Sequence, residues 1–194
     1  MLKLIRGDVM LMIGYQGVEG SNSEEAAKQL AIKNRLKEYT LLPLVSSFNV
    51  LDNVLKHRID YGVIAVKNSK GGYVKESMIV LEKLKLKKVD EITIPITHHL
   101  FVKSERITKK DIQYIASHPQ AFKQCKNNLE NNYNKAILLG DEDTATAARK
   151  LSLGIFKDDT AVLCRLNAGK MNDLFLLERN LEDTNDNKTT FEMY

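Results

Sequence analysis

The sequence predicts an α/β protein built as two lobes. Apolar runs of strand length alternate with amphipathic stretches of helix length, the pattern of parallel α/β layers. The alternation comes in two series, with a long β-type segment at residues 91–102 between them. No low-complexity linker and no repeat of fixed period breaks the chain. The second series therefore reads as a lobe inserted into the first. Lobe 1 takes residues 1–94 plus 168–194, and lobe 2 takes residues 95–167.

Residues 8–15 are nearly all apolar, as in a buried parallel strand. Gly17 and Gly20 then allow a tight turn, and Ser21 or Ser23 can cap a helix with Glu24 and Glu25 in its first turn. That helix is expected to continue through Leu30, Ile32 and Leu36. A strand, a glycine-containing loop and a helix N-terminus aim backbone N–H groups at an anion, but neither GxxxxGK[ST] nor GxGxxG is present. A strand at residues 41–48 and a short helix at 50–57 follow. Residues 61–66 form another apolar strand, running into Lys67-Asn68-Ser69-Lys70-Gly71-Gly72, small polar groups at the strand edge where α/β sheets bind ligands. Residues 73–84 read as a helix, and 91–102 as a long strand able to pass from one lobe to the other. His98 and His99 are adjacent, so in a strand they face opposite ways and are read as structural, not as a metal pair. The βα rhythm resumes with a strand at 112–116, a helix from Ser117 to about Asn131 and a strand at 136–139. A helix entered through Asp143-Thr144-Ala145 and strands at 160–164 and 174–177 complete it.

Composition narrows the function. Of 194 residues, 43% are hydrophobic and 28% charged, which describes an ordinary globular chain with ample core. No apolar run approaches the roughly 20 residues of a membrane span. Residues 1–7 are too short and too interrupted for a signal peptide, so a cytoplasmic location is the default expectation. Cys125 and Cys164 stand alone, which supports neither a disulfide framework nor a zinc site. Lys83, Lys85, Lys87 and Lys88 read as a solvated helix end rather than a nucleic-acid patch, since no aromatics interleave them. A net charge of +4 suits a small acidic metabolite. The polar stretch 180–188 leads into a short strand ending in Thr189-Thr190-Phe191. Alternation puts Thr189 and Phe191 on one face and Thr190 on the other.

Five segments, in order, carry a family resemblance. They are residues 15–27; Asn68-Ser69 with Gly72 and Val74; Ser117-His118-Pro119-Gln120-Ala121 with Gln124 and Cys125; Asp143-Thr144-Ala145 with Ala147-Ala148; and Asn180, Asp183, Asn187, Thr189 and Phe191. Together they resemble prephenate dehydratase over nearly the whole chain. The resemblance implies a fold similar to type II periplasmic binding proteins, with the active site in a cleft between two α/β lobes. It implies the decarboxylating dehydration of prephenate to phenylpyruvate in phenylalanine biosynthesis, with no metal or organic cofactor. It makes Thr189 the catalytic residue. Ser21, Asn22, Ser23, Lys67, Asn68, Ser69, Thr144, Ala145, Thr190 and Phe191 become substrate-binding positions. The partner expected is a small molecule, with neither nucleic acid nor membrane, and a homodimer is left open.

Three of those positions, Thr190, Lys67 and Asn22, depart from the family pattern. Thr190 stands where the family has the arginine of Thr-Arg-Phe, a residue expected to bind a substrate carboxylate. Lys67 stands where the family has glutamate, which suggests that Lys67 takes over part of that binding. Asn22 replaces an aromatic residue, Glu19 a proline and Tyr73 a small residue. The chain stops at Tyr194, so feedback control by a regulatory ACT domain is expected to be absent. Alternative readings are an arogenate dehydratase, a prephenate decarboxylase, and an impaired homologue that binds a small molecule without turning it over.

Overall fold

The computed structural model describes residues 10–194; the readings of residues 1–7 and of the strand's start at residue 8 lie outside the described residues. The elements run β1 (Leu11–Tyr15), α1 (Asn22–Lys33), β2 (Tyr39–Pro43), α2 (Ser47–Leu55), β3 (Tyr61–Asn68), β4 (Gly72–Tyr73), α3 (Lys75–Leu84) and β5 (Asp90–Pro95). There follow β6 (His99–Val102), a 3-10 turn, β7 (Tyr114–Ser117), α4 (Pro119–Gln124), α5 (Lys126–Asn132) and β8 (Ile137–Gly140). The chain ends with α6 (Thr144–Ser152), β9 (Thr160–Cys164), α7 (Leu166–Met171), β10 (Phe175–Glu178) and β11 (Lys188–Met193).

Contacts divide these elements into two compact units. Among the described residues, the first holds 10–17, Ser23–Ile94 and Lys188–Tyr194, and the second holds Val18–Asn22 and Pro95–Asn187. The first sheet has the order β2-β1-β3-β11-β5, with β4 added to the end of β3. Strands β1, β2 and β3 are parallel, and β11 returns antiparallel to β3. Since βαβ crossovers are right-handed, α1 and α2 cover opposite faces of this sheet. The α2 face is closed by Val50, Leu51, Ile64, Val66, Val80 and Tyr194. The second sheet has the order β10-β6-β9-β7-β8, with α6 packed on β9.

Several boundaries differ from expectation, each for a local reason. Helix α1 stops at Lys33, because Arg35 takes a left-handed turn (φ 58°), and Ile32 is left 71% exposed. Strand β2 stops at Pro43, and the chain turns through Val45 (φ 62°) to Ser46, whose hydroxyl caps α2 by accepting from the Asn49 N–H at 3.1 Å. The segment 91–102 divides after Pro95, so β5 lies in the first sheet and β6 in the second. The helix expected from Ser117 to Asn131 is two short helices broken at Cys125. Residues 168–187, read as lobe 1, lie in the second unit, because β10 pairs antiparallel with β6.

Candidate active-site residues in the two units

Strand β11 runs antiparallel to β3, so its first residues sit beside the last residues of β3, at the carboxyl edge of the parallel strands. Thr189 is paired with Asn68 there, and its side chain is 8% exposed. The Asn68 amide nitrogen donates to the Thr189 hydroxyl at 2.9 Å and to the Lys188 carbonyl at 3.1 Å. The orientation of that amide is fixed from its other end, where the Asn68 oxygen accepts from the Lys70 and Gly71 backbone N–H groups at 2.9 and 2.8 Å. An amide N–H can only donate, so Thr189 accepts here and its own proton points elsewhere. An accepted hydrogen bond also polarises the O–H, which makes it a better donor. Ser69 locks the same corner: its N–H donates to the Lys188 carbonyl at 2.8 Å, and its hydroxyl accepts from the Lys188 N–H at 2.9 Å. Phe191, on the same face as Thr189, is 2% exposed and anchors the strand.

Lys67 and Thr190 occupy the other face. They are direct cross-strand partners, with a bulge separating their pair from the next, Phe191 with Ala65. The Lys67 ammonium lies 5.3 Å from the centre of the Tyr73 ring, its cross-strand neighbour on β4. Thr190 exchanges a hydroxyl hydrogen bond with Thr93 of β5 at 2.8 Å. Tyr73, Lys67, Thr190 and Thr93 thus form a row across four strands, on the face turned away from Thr189. Neither Lys67 nor Thr190 is brought together with the Thr189 hydroxyl. These two departures from the family pattern face each other instead.

In the second unit, loop Val18–Asn22 is seated on α7. Gly20 has φ +79°, and a Cβ there would lie 3.0 Å from the Ala168 Cα, so both its conformation and its close approach require glycine. Asn22, half-buried, accepts from a guanidinium N–H of Arg165 at 3.1 Å. Ser23, assigned to the first unit, is 8% exposed in the first turn of α1. Thr144 and Ala145 open α6, which Asp143 caps by accepting from the Ala145 and Thr146 N–H groups at 2.8 Å each. Ala145 is buried and Thr144 half-buried.

Other motif residues prove structural. Asp183 accepts from the Asn127 and Asn128 N–H groups at 3.0 Å each, capping α5 from 55 residues away. The buried Glu182 carboxylate accepts from the His98 N–H at 2.9 Å. The His98 ring reaches the Gln124 amide oxygen at 2.6 Å, which puts the proton on Nε2. His99 Nδ1 accepts from the Asn180 N–H at 3.2 Å. Burial is the main cause holding both imidazoles below their ordinary pKa, so they are neutral. It also pushes the Cys125 and Cys164 thiols up, out of nucleophilic range. The contact of Arg165 with Asn22 is one that the sequence reading did not foresee; Arg165 directly follows the apolar run 160–164.

Comparison with known proteins bears on the family and the fold. Residues 13–193 match the family model described as prephenate dehydratase. Arogenate dehydratase 2 of Petunia hybrida is 32% identical over 185 residues, covering 94% of this chain and 44% of the relative. The chain therefore spans less than half the length of that relative. A prephenate dehydratase from Arthrobacter aurescens, solved in complex with L-Phe, has a TM-score of 0.83 at 22% identity, over 94% of this chain and 59% of that one. GqqA, described as a novel type of quorum quenching acylase, has a TM-score of 0.78 at 25% identity, over 94% of this chain and 63% of that one.

Proposed function

Because the chain belongs to the prephenate dehydratase family, we propose that it converts prephenate to phenylpyruvate, with Thr189 as the catalytic residue. The observation that carries this reading is the Asn68–Thr189 hydrogen bond, which presents a hydroxyl as a donor at the ligand edge of the first sheet. In the reaction the bond from the ring to its carboxylate breaks, and its electron pair enters the ring as CO2 departs. The ring hydroxyl leaves from the opposite carbon as water, taking up a proton. Thr189 donates its hydrogen bond to that leaving oxygen, and aromatisation supplies the driving force. A positioned donor of this kind contributes about 10²–10⁴-fold.

Asn68 positions Thr189, and Ser69 and Phe191 hold its strand; Ser23 is a candidate binding residue of the same unit, and Ser21, Asn22, Thr144 and Ala145 are candidate binding residues of the second unit. The row Lys67–Thr190 serves strand pairing. Purified protein should release phenylpyruvate from prephenate, and Thr189→Ala should abolish most of that release while lowering the melting temperature by only the few degrees that loss of one hydrogen bond explains. Full activity in Thr189→Ala would remove the assignment. The 32% identity to an arogenate dehydratase favours one second reading, the same chemistry on arogenate, in which an amine replaces the side-chain keto group. The ratio of kcat/KM for the two substrates decides between them.

A further inference from the structure

We propose that Gln16 is a positioning residue, whose side-chain amide braces the hairpin that carries Asn68 and, through it, the Thr189 hydroxyl. Its effect on turnover rests on the dehydratase reading above, and the brace itself lies wholly within the first unit. Strands β3 and β4 form that hairpin, with Lys67 paired to Tyr73 and Asn68 to Gly72. Residues 69–73 are all exposed, and Asn68 is half-buried. A corner with so little buried surface opens readily unless its base is tied down.

The tie comes from the end of β1. That strand pairs with β3 only as far as Tyr15 opposite Val63, and then leaves it. Gly17 (φ 94°) exchanges backbone bonds with Val45 instead, at 2.9 and 3.2 Å. In a continued parallel ladder a β1 carbonyl would take the Ala65 N–H of β3. Here the Gln16 side-chain oxygen takes it, at 3.1 Å. A backbone N–H can only donate, so the amide oxygen faces Ala65 and the amide nitrogen faces the Glu76 carboxylate, to which it donates at 3.3 Å. Ala65 precedes the hairpin turn, and Glu76, in the first turn of α3, follows it. One side chain thus bridges both ends of the segment 65–76 that contains Asn68 and Ser69. The far anchor is itself fixed. Glu76 also accepts from the Ser47 N–H of α2 at 2.7 Å, and the Ser47 and Ser77 hydroxyls share a buried bond at 2.7 Å. Asn68 lies three residues beyond Ala65, so the brace sets where its amide meets Thr189.

The test uses the full chain, with steady-state kinetics and amide hydrogen exchange followed by NMR. Gln16→Ala should lower kcat for prephenate about two- to fivefold and change KM by less than about twofold, since the lost bonds only orient Thr189. In an Asn68→Ala background it should add little, because Gln16 acts through Asn68. The N–H groups of Ser69, Gly71 and Val74 are bonded to Lys188, Asn68 and Val66, and should exchange at least about threefold faster in Gln16→Ala. That of Gly62, bonded to Tyr194 in the same sheet, should not change. Gln16→Glu keeps the acceptor for Ala65 but sets like charges together. Adding Glu76→Gln to it should restore wild-type exchange and kcat, with donor and acceptor reversed. Unchanged exchange at the hairpin would overturn the proposal, as would equal quickening at Gly62 or a fully additive loss with Asn68→Ala. If the hairpin responds as expected while wild type turns over neither prephenate nor arogenate, the brace stands and the dehydratase reading fails. Turnover by wild type, with kcat and exchange untouched in Gln16→Ala, keeps that reading and removes the brace.

Discussion

Putting arginine at position 190, as the family pattern has it, should weaken this protein and leave its activity unimproved. Thr190 lies directly opposite Lys67 and exchanges a hydrogen bond with Thr93 at 2.8 Å. Thr190→Arg removes that bond, which is worth about 0.5–1.5 kcal/mol. It also sets a guanidinium across from an ammonium, where like charges cost a further ~0.2–1 kcal/mol. Lys67 is exposed, so the electrostatic part belongs at the low end and should shrink in high salt. The sum is about 1–2 kcal/mol, a fall of roughly 2–8 °C in Tm for a chain of this size. Adding Lys67→Glu should recover stability, since opposite charges then face each other and the pair becomes the family's acid and base. Thermal melts of wild type, both single variants and the double variant give the coupling free energy directly. A coupling near zero would refute the cross-strand account. So would a Thr190→Arg enzyme that is stabilised or gains tenfold or more in kcat/KM.

Three further outcomes follow from the same geometry. Asn68→Ala should lower kcat about fivefold with little change in KM, because roughly 1 kcal/mol of hydrogen bonding orients the Thr189 hydroxyl; a larger effect on KM than on kcat would make Asn68 a binding residue. Asp183→Ala should uncap α5 and cost about 1 kcal/mol in urea unfolding; an unchanged midpoint would contradict the capping role. His98 is held neutral chiefly by burial, with its folded pKa below the ordinary value near 6.5. Below about pH 6.5 the unfolded chain takes up a proton that the folded chain refuses, so stability should fall as pH drops from 7 towards 5.5. His98→Gln should flatten that fall, and an identical pH dependence in the variant would discount the buried imidazole.

Much of the fold was legible because hydrophobic period and turn chemistry are local properties. The apolar run 160–164 became a fully buried strand, and the Asp143 cap stands immediately before α6. Thr189 and Phe191 were placed on a common face by alternation alone, and their burial agrees. What stayed hidden depends on long-range register. That Lys67 faces Thr190 follows from the β3–β11 pairing and its bulge, 123 positions apart, which no local pattern encodes. Asp183 reads as one more acid in a polar loop until α5 is seen starting beside it. Asn22 and Arg165 are 143 positions apart and meet only once the 18–22 loop is seated on α7.

The central claim is that the Thr189 hydroxyl assists loss of the ring hydroxyl from prephenate. It is tested most directly by following phenylpyruvate release from prephenate at neutral pH, with wild type, Thr189→Ala and Thr189→Ser side by side and a protein-free blank. The account predicts clear turnover by wild type, a loss of about 10²–10⁴-fold in kcat for the alanine variant, and substantial recovery in the serine variant, which keeps a hydroxyl. Wild-type turnover that survives undiminished in Thr189→Ala would contradict it.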